Sequence, residues 1–235
     1  QIAMDVNIAT GRGHLGKTVE PAGVFLSRIF FSPRYVVSRF QQAAGYSLWG
    51  GTARTRKVIA MEYARALIGY ALYASLISMF FNREGKKTKE EDDMRSTDWG
   101  KIVLEDTRLD LMAGLQQVMV LAARTYTGET KSAKGKVTPI RGKVPYGGRD
   151  WSDVAGTFVR SKLHPIPSSI VNLFNGTDLV GNKSDLKGEA SKLVGPITYI
   201  DIYEALKEHN LTDGMALSLL AFLGEGVSTY GDKKK

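Results

Sequence analysis

The chain has no cysteine, which excludes a disulfide framework, a thiolate nucleophile and Cys-ligated zinc. Its three histidines, His14, His164 and His209, show no HxH or HExxH spacing, so a His-rich metal centre is not indicated. There is no G-x-S-x-G elbow, no zinc finger, no RNP-type strand, and no internal repeat. No basic-then-apolar leader follows Gln1, so the chain is expected to be a processed product or the ordered part of something longer. The polar end, residues 230–235, reads as a frayed terminus.

What is present is an ordinary globular composition: 43% hydrophobic and 24% charged over 235 residues, which rules out global disorder or a collagen-like fibre. Lys and Arg total 32 against 24 acids, a net charge of +8 that favours acidic partners such as nucleic acid or anionic lipid. Residues 1–57 carry eight bases and two acids; residues 128–149 carry six bases and one acid.

The periodicity predicts a mostly α fold: an irregular multi-helix domain with long loops and at most a short strand pair. Residues 1–20 read as an extended arm and loop. Helices are expected over 21–31, 33–44 with Ser32 as cap, 53–81, 109–126, 150–161, 168–174, 199–209 and 213–223, the last two capped by Thr198 and Thr212. A short strand is expected at 102–104. Residues 128–149 and 176–188 read as loops. Three regions follow: an N-terminal arm and helices over 1–82, a solvated charged linker over 83–100, and a helical region over 101–235 that packs with 53–82.

Several strings invite a functional reading. Gly11-Arg12-Gly13-His14-Leu15-Gly16-Lys17-Thr18 matches the phosphate-loop pattern, in which glycines expose backbone N–H groups, Lys reaches the phosphate and the hydroxyl holds magnesium. The context is poor, because residues 2–8 alternate rather than forming an apolar strand and Pro21 falls where a helix would need donors. A nucleotide site at Gly11, Gly16, Lys17 and Thr18 is therefore the weakest reading, and no cofactor is implied.

Residues 66–81 form sixteen uncharged residues in a row, and extending back to 58 gives twenty-four that include Glu62 and Arg65. This run, with Leu67, Leu72, Ile77, Phe80 and Phe81, is expected to be a helix buried all round in a helical core; insertion into a membrane is the alternative. Arg28, Arg34, Arg39, Lys131, Lys134, Lys136, Arg141 and Lys143 are the candidate phosphate-facing residues for non-specific DNA contact. Phe25, Phe30, Phe31, Tyr35 and Phe40 are read as core. Acids around Arg108 suggest a structural ion pair. No constellation reads as an active site.

The order of several strings resembles the carboxyl-terminal region of the large polyvalent proteins of tailed bacteriophages. These are Ala9-Thr10-Gly11-Arg12-Gly13, Phe30-Phe31-Ser32-Pro33-Arg34 with Ser38-Arg39, Asp106-Thr107-Arg108, and Gly114-Leu115-Gln116-Gln117. Phe158-Val159-Arg160-Ser161-Lys162-Leu163, Gly195-Pro196-Ile197, Asp201, Glu204-Ala205 and Phe222-Leu223-Gly224-Glu225-Gly226 follow. The resemblance implies a non-enzymatic structural and interaction domain, packaged in the virion and ejected with the genome. Its implied partners are other virion proteins, with homo-oligomers and contact with the host envelope as further possibilities. It also implies that Thr10-Gly11-Arg12-Gly13 is the meaningful unit and Gly16-Lys17-Thr18 incidental.

Overall fold

The computed structural model describes residues 1–83, 88–132, 135–179, 181, 183–194, 197–209, 211–223 and 225–229. The expected frayed end over 230–235 and Lys134 lie outside these residues. In chain order the helices are α1 (Ile2–Ala9), α2 (Gly23–Ile29), α3 (Pro33–Ala43), α4 (Ala53–Arg83), α5 (Leu115–Thr127), α6 (Trp151–Arg160), α7 (Pro165–Asn175), α8 (Leu186–Val194), α9 (Ile197–Glu208) and α10 (Leu211–Phe222). The strands are β1 (Thr88–Glu90), β2 (Lys101–Leu104), β3 (Thr107–Asp110), β4 (Glu129–Lys131), β5 (Val137–Pro139) and β6 (Gly226–Thr229). The fold is mostly α. The expectation of at most one strand pair is corrected, because four strands form an antiparallel sheet in the order β1-β2-β3-β6 and β4-β5 form a second.

The chain divides into two compact units, Gln1–Ala64 with Ile140–Val194 and Arg65–Pro139 with Gly195–Lys235. The division thus falls within α4 and after β5, and residues 83–100 are no linker between them. The structure gives this charged stretch work: Thr88, Lys89 and Glu90 pair with Leu104, Val103 and Ile102. A three-residue edge strand needs only backbone partners, which is why its charged side chains hid it.

In the first unit, α1 replaces the expected arm. Ile8 is buried on it, and the alternation of residues 2–8 also satisfies i,i+4 spacing through Ile2–Val6 and Met4–Ile8. The segments before α3 and before α7 are tied by backbone bonds, Phe31 N–H to Lys162 O at 2.8 Å and His164 N–H to Ile29 O at 2.8 Å. Phe40 of α3 meets Phe158 of α6 edge-on, centroids 5.8 Å apart. A reciprocal capping box between Asp150 and Asp153 starts α6. Pro165 and Pro167 open α7, which therefore starts earlier than the expected 168, since the first turn needs no backbone donors. Helix α8 begins at Leu186, at the end of the segment read as loop. Buried Glu189 accepts bonds from Asn172 of α7 (3.2 and 3.3 Å) and Ser184 (2.7 Å), while Arg160 of α6 donates to Asn172 at 2.7 Å. Three helices are thereby joined by one polar network.

In the second unit the sheet packs against Ala74, Ile77 and Phe81 of α4, Ala205 of α9, and Leu217 and Ala221 of α10. The alternation Ile102/Leu104 on β2 and Thr107/Leu109 on β3 points one face inward. β6 pairs with β3, so Val227 sits opposite Leu109. Gly214 lets α10 approach α9 closely: a Cβ there would lie 3.1 Å from the Ala205 carbonyl oxygen. Helix α5 starts at Leu115 and not at 109, because β3 claims Leu109, and Ala113 and Gly114 turn the chain with positive φ. Helices α9 and α10 begin before Thr198 and Thr212, which sit in the first turns and not at the caps.

The expectation that α4 is buried all round is also corrected. Ile77 and Phe81 are buried, whereas Leu67, Leu72 and Phe80 are exposed. The helix is long and apolar enough to cross a membrane by length and composition, yet only 17% of its most apolar window is buried.

Candidate functional site

The phosphate-loop string is built as a turn after a helix. Five of its amides are spent inside the first unit, beginning with Gly11 N–H to Ile8 O, Arg12 N–H to Asn7 O and Gly13 N–H to Arg34 O. His14 N–H bonds Gln41 Oε1, and Gly16 N–H bonds His14 Nδ1. A phosphate cradle needs those donors pointing at the ligand. The adjoining cleft is lined by Arg12, His14 and Arg34, but also by Glu20, which is ion-paired with Arg34. That carboxylate stands where a polyphosphate would add further negative charge. Gly13 has a packing purpose instead, since a Cβ there would lie 2.4 Å from Ser38 N and 2.5 Å from Arg34 O.

The basic candidates separate. Arg39 is buried, its guanidinium 4.5 Å over the Tyr35 ring and bonded to Gln42. Lys131 bonds Glu91 at 2.8 Å and approaches Asp93 at 3.8 Å. Arg28, Arg34, Lys136, Arg141 and Lys143 are exposed, with Arg34 held by Glu20. The aromatics reverse the sequence reading: Phe25, Phe31 and Phe40 are exposed while Arg39 is buried. The cause is the close α1–α3 approach at Gly13, which turns the Ser38–Arg39 side of α3 inward.

In the second unit, a charged clip surrounds Arg95. Its guanidinium grips Asp93 at 2.8 Å and pairs with Glu129, and Arg124 Nε donates to Arg95 O at 2.7 Å. The Arg95 hydrogen bonds hold Asp93 well below the usual carboxylate range, and the Lys131 hydrogen bond lowers Glu91. Arg95 and Lys131 are raised by the same partners. Burial lowers Lys101, opposed by Asp110, its partner across β2 and β3, and by Asp98. Burial also raises Glu225. Arg108 pairs with Asp98 at 3.3 Å and with the Asp106 backbone oxygen, so the ion pair expected around Arg108 reaches ten residues back.

One constellation escaped sequence reasoning. Thr107 Oγ1 lies 2.6 Å from His209 Nε2, and Glu105 Oε2 lies 3.5 Å from His209 Nδ1. Hydroxyl, imidazole and carboxylate in that order resemble a nucleophile relay. However, Thr107 has 0% of its surface exposed and its hydroxyl also meets Thr229 at 2.9 Å. No substrate carbonyl reaches such an oxygen. The arrangement joins β3, β6 and the end of α9, and its residues lie 102 and 122 positions apart, beyond any local sequence signal. Among the described residues no group of three His, Asp or Glu is placed to hold a metal.

What the surface offers is apolar side chains. In the first unit they include the aromatics Phe25, Phe31, Trp49 and Phe174, Phe174 exposed by 89%. In the second they are mostly aliphatic and concentrated on α4 and α10, with Phe80 and Phe222 among them. Comparison with protein families, with curated proteins and with solved structures finds no match to the chain.

Proposed function

We propose that the chain is a non-enzymatic docking domain of a bacteriophage virion protein, held in the capsid or tail interior and delivered with the genome. The observation that carries the docking reading is the outward aromatic set of the first unit, Phe25, Phe31 and Phe174. Exposed aromatics near an exposed arginine such as Arg28 have the composition of protein–protein hot spots, where rings fill partner pockets. The virion setting rests on the resemblance in motif order. The buried Thr107 hydroxyl and the spent loop amides favour a role without catalysis.

Mass spectrometry of intact virions from the encoding phage tests the setting. Peptides of this chain at a fixed ratio to the major capsid protein are expected; their absence from purified virions overturns it. Phe25→Ser with Phe174→Ser tests the docking face. Virions should lose the double variant while its circular dichroism stays unchanged, and full incorporation would sink this face as the contact.

A further inference from the structure

The second unit exposes two helix faces that carry no charge. Between Arg65 and Arg83, α4 has no ionisable acid or base of the Asp, Glu, Lys or Arg type, and Ile68, Leu72, Leu76 and Met79 form one outward stripe at spacings of four, four and three. The one charged residue of α10, Asp213, is buried, while Leu211, Met215, Leu219 and Phe222 are exposed. A helix face turned to water normally carries charge. A protein-binding face is enriched in aromatics and arginine, and the α4 stripe contains neither. Basic residues bracket the α4 run in the sequence, with Arg54, Arg56 and Lys57 before it and Arg83, Lys86 and Lys87 after it. An aliphatic stripe bracketed by cations in the sequence has the chemistry to meet an apolar interior beneath anionic headgroups.

We propose that the second unit binds an anionic lipid surface through the outer face of α4, with the α10 face as a second contact. The helix lies on the bilayer and does not cross it. Its inner residues Ala74, Ile77 and Phe81 remain packed on the sheet, which a spanning helix would have to abandon. This contact is independent of the aromatic docking face, which belongs to the first unit.

Vesicle flotation of the full chain tests it, using phosphatidylcholine alone and a mixture with about one quarter phosphatidylglycerol, at about 100 mM salt. The chain is expected to float with both and more strongly with the mixture. Leu72→Glu with Leu76→Glu, on the exposed side, should cut flotation by about tenfold or more with helicity unchanged. Three outcomes overturn the proposal: no flotation of the wild-type chain, flotation unaffected by the double variant, or flotation only on the anionic vesicles that salt abolishes. Light scattering supplies a fourth. A wild-type dimer that the double variant converts to monomer, without vesicle binding by either, would assign the stripe to a second copy of the chain.

Discussion

Gly13 shows what one missing Cβ achieves. It lets the loop after α1 lie against the backbone of α3, and a methyl there would meet Ser38 N at 2.4 Å, a contact that backbone cannot relieve by rotating a side chain. Gly16 stands at φ +79° with open space around it, so a methyl there meets only left-handed strain. Gly13→Ala should therefore cost about 3 kcal/mol or more, and Gly16→Ala only about 1–2 kcal/mol, in urea denaturation. Equal losses would show that the α1–α3 approach is not as close as described. Lys17→Ala should leave stability unchanged within about 0.5 kcal/mol. The letters of this string were legible in the sequence. Which glycine matters was not, because that depends on α3 lying against it. The charged clip gives a second residue-scale test. Asp93 and Glu91 titrate below their ordinary range. A carboxyl with a lowered folded pKa contributes stability above its unfolded pKa and loses it as pH falls. Thermal melts should therefore drop from about pH 5 downward, and Lys131→Met should shrink that drop by removing Glu91's main partner. An unchanged pH profile would mean the clip is open in solution.

At the scale of elements, α4 divides into two faces that respond differently to the same change. Ile77 packs in the core beside Phe81, Leu104 and Leu217, so Ile77→Asp buries a carboxylate among aliphatic groups and should cost several kcal/mol, on the order of 3–5. Leu72 points outward, so Leu72→Asp should cost under about 1 kcal/mol. Chemical denaturation of the two variants measures the contrast, and comparable losses would show that α4 is enclosed on both sides. The length of α4 was readable from its long proline-free run, and α6 as a helix over 150–161, though not which of Asp150 and Ser152 caps it. Which face of α4 is inward was not readable, because an uncharged run has no polar side to mark the outside. The sheet was hidden for a different reason. Its strands have three or four residues each, β1 is built of Thr-Lys-Glu, and β6 joins from a segment more than 100 residues after β3. Helix periodicity needs only neighbours, whereas a sheet register needs partners that the local sequence does not contain.

At the scale of the whole molecule, the net charge of +8 overstates the cations that can meet a polyanion. Arg39 is buried over Tyr35, Lys131 lies between Glu91 and Asp93, and Arg34 is matched by Glu20. Each already has a carboxylate or a ring where a phosphate would have to bind. Arg28, Lys136, Arg141 and Lys143 have exposed side chains and can release counterions from DNA. Binding to duplex DNA should therefore be sequence-independent and weak. Each phosphate contact contributes about 0.9 to the slope of log affinity against log salt. Arg141→Ala with Lys143→Ala should lower that slope by about 2, whereas Lys131→Ala and Arg39→Ala should leave it unchanged even where they cost stability. Fluorescence anisotropy on a random-sequence duplex across about 50–200 mM salt measures all four substitutions. A slope that falls in Lys131→Ala would mean the clip around Arg95 opens to admit a phosphate. A slope unmoved by Arg141→Ala with Lys143→Ala would remove these two residues from any nucleic-acid surface.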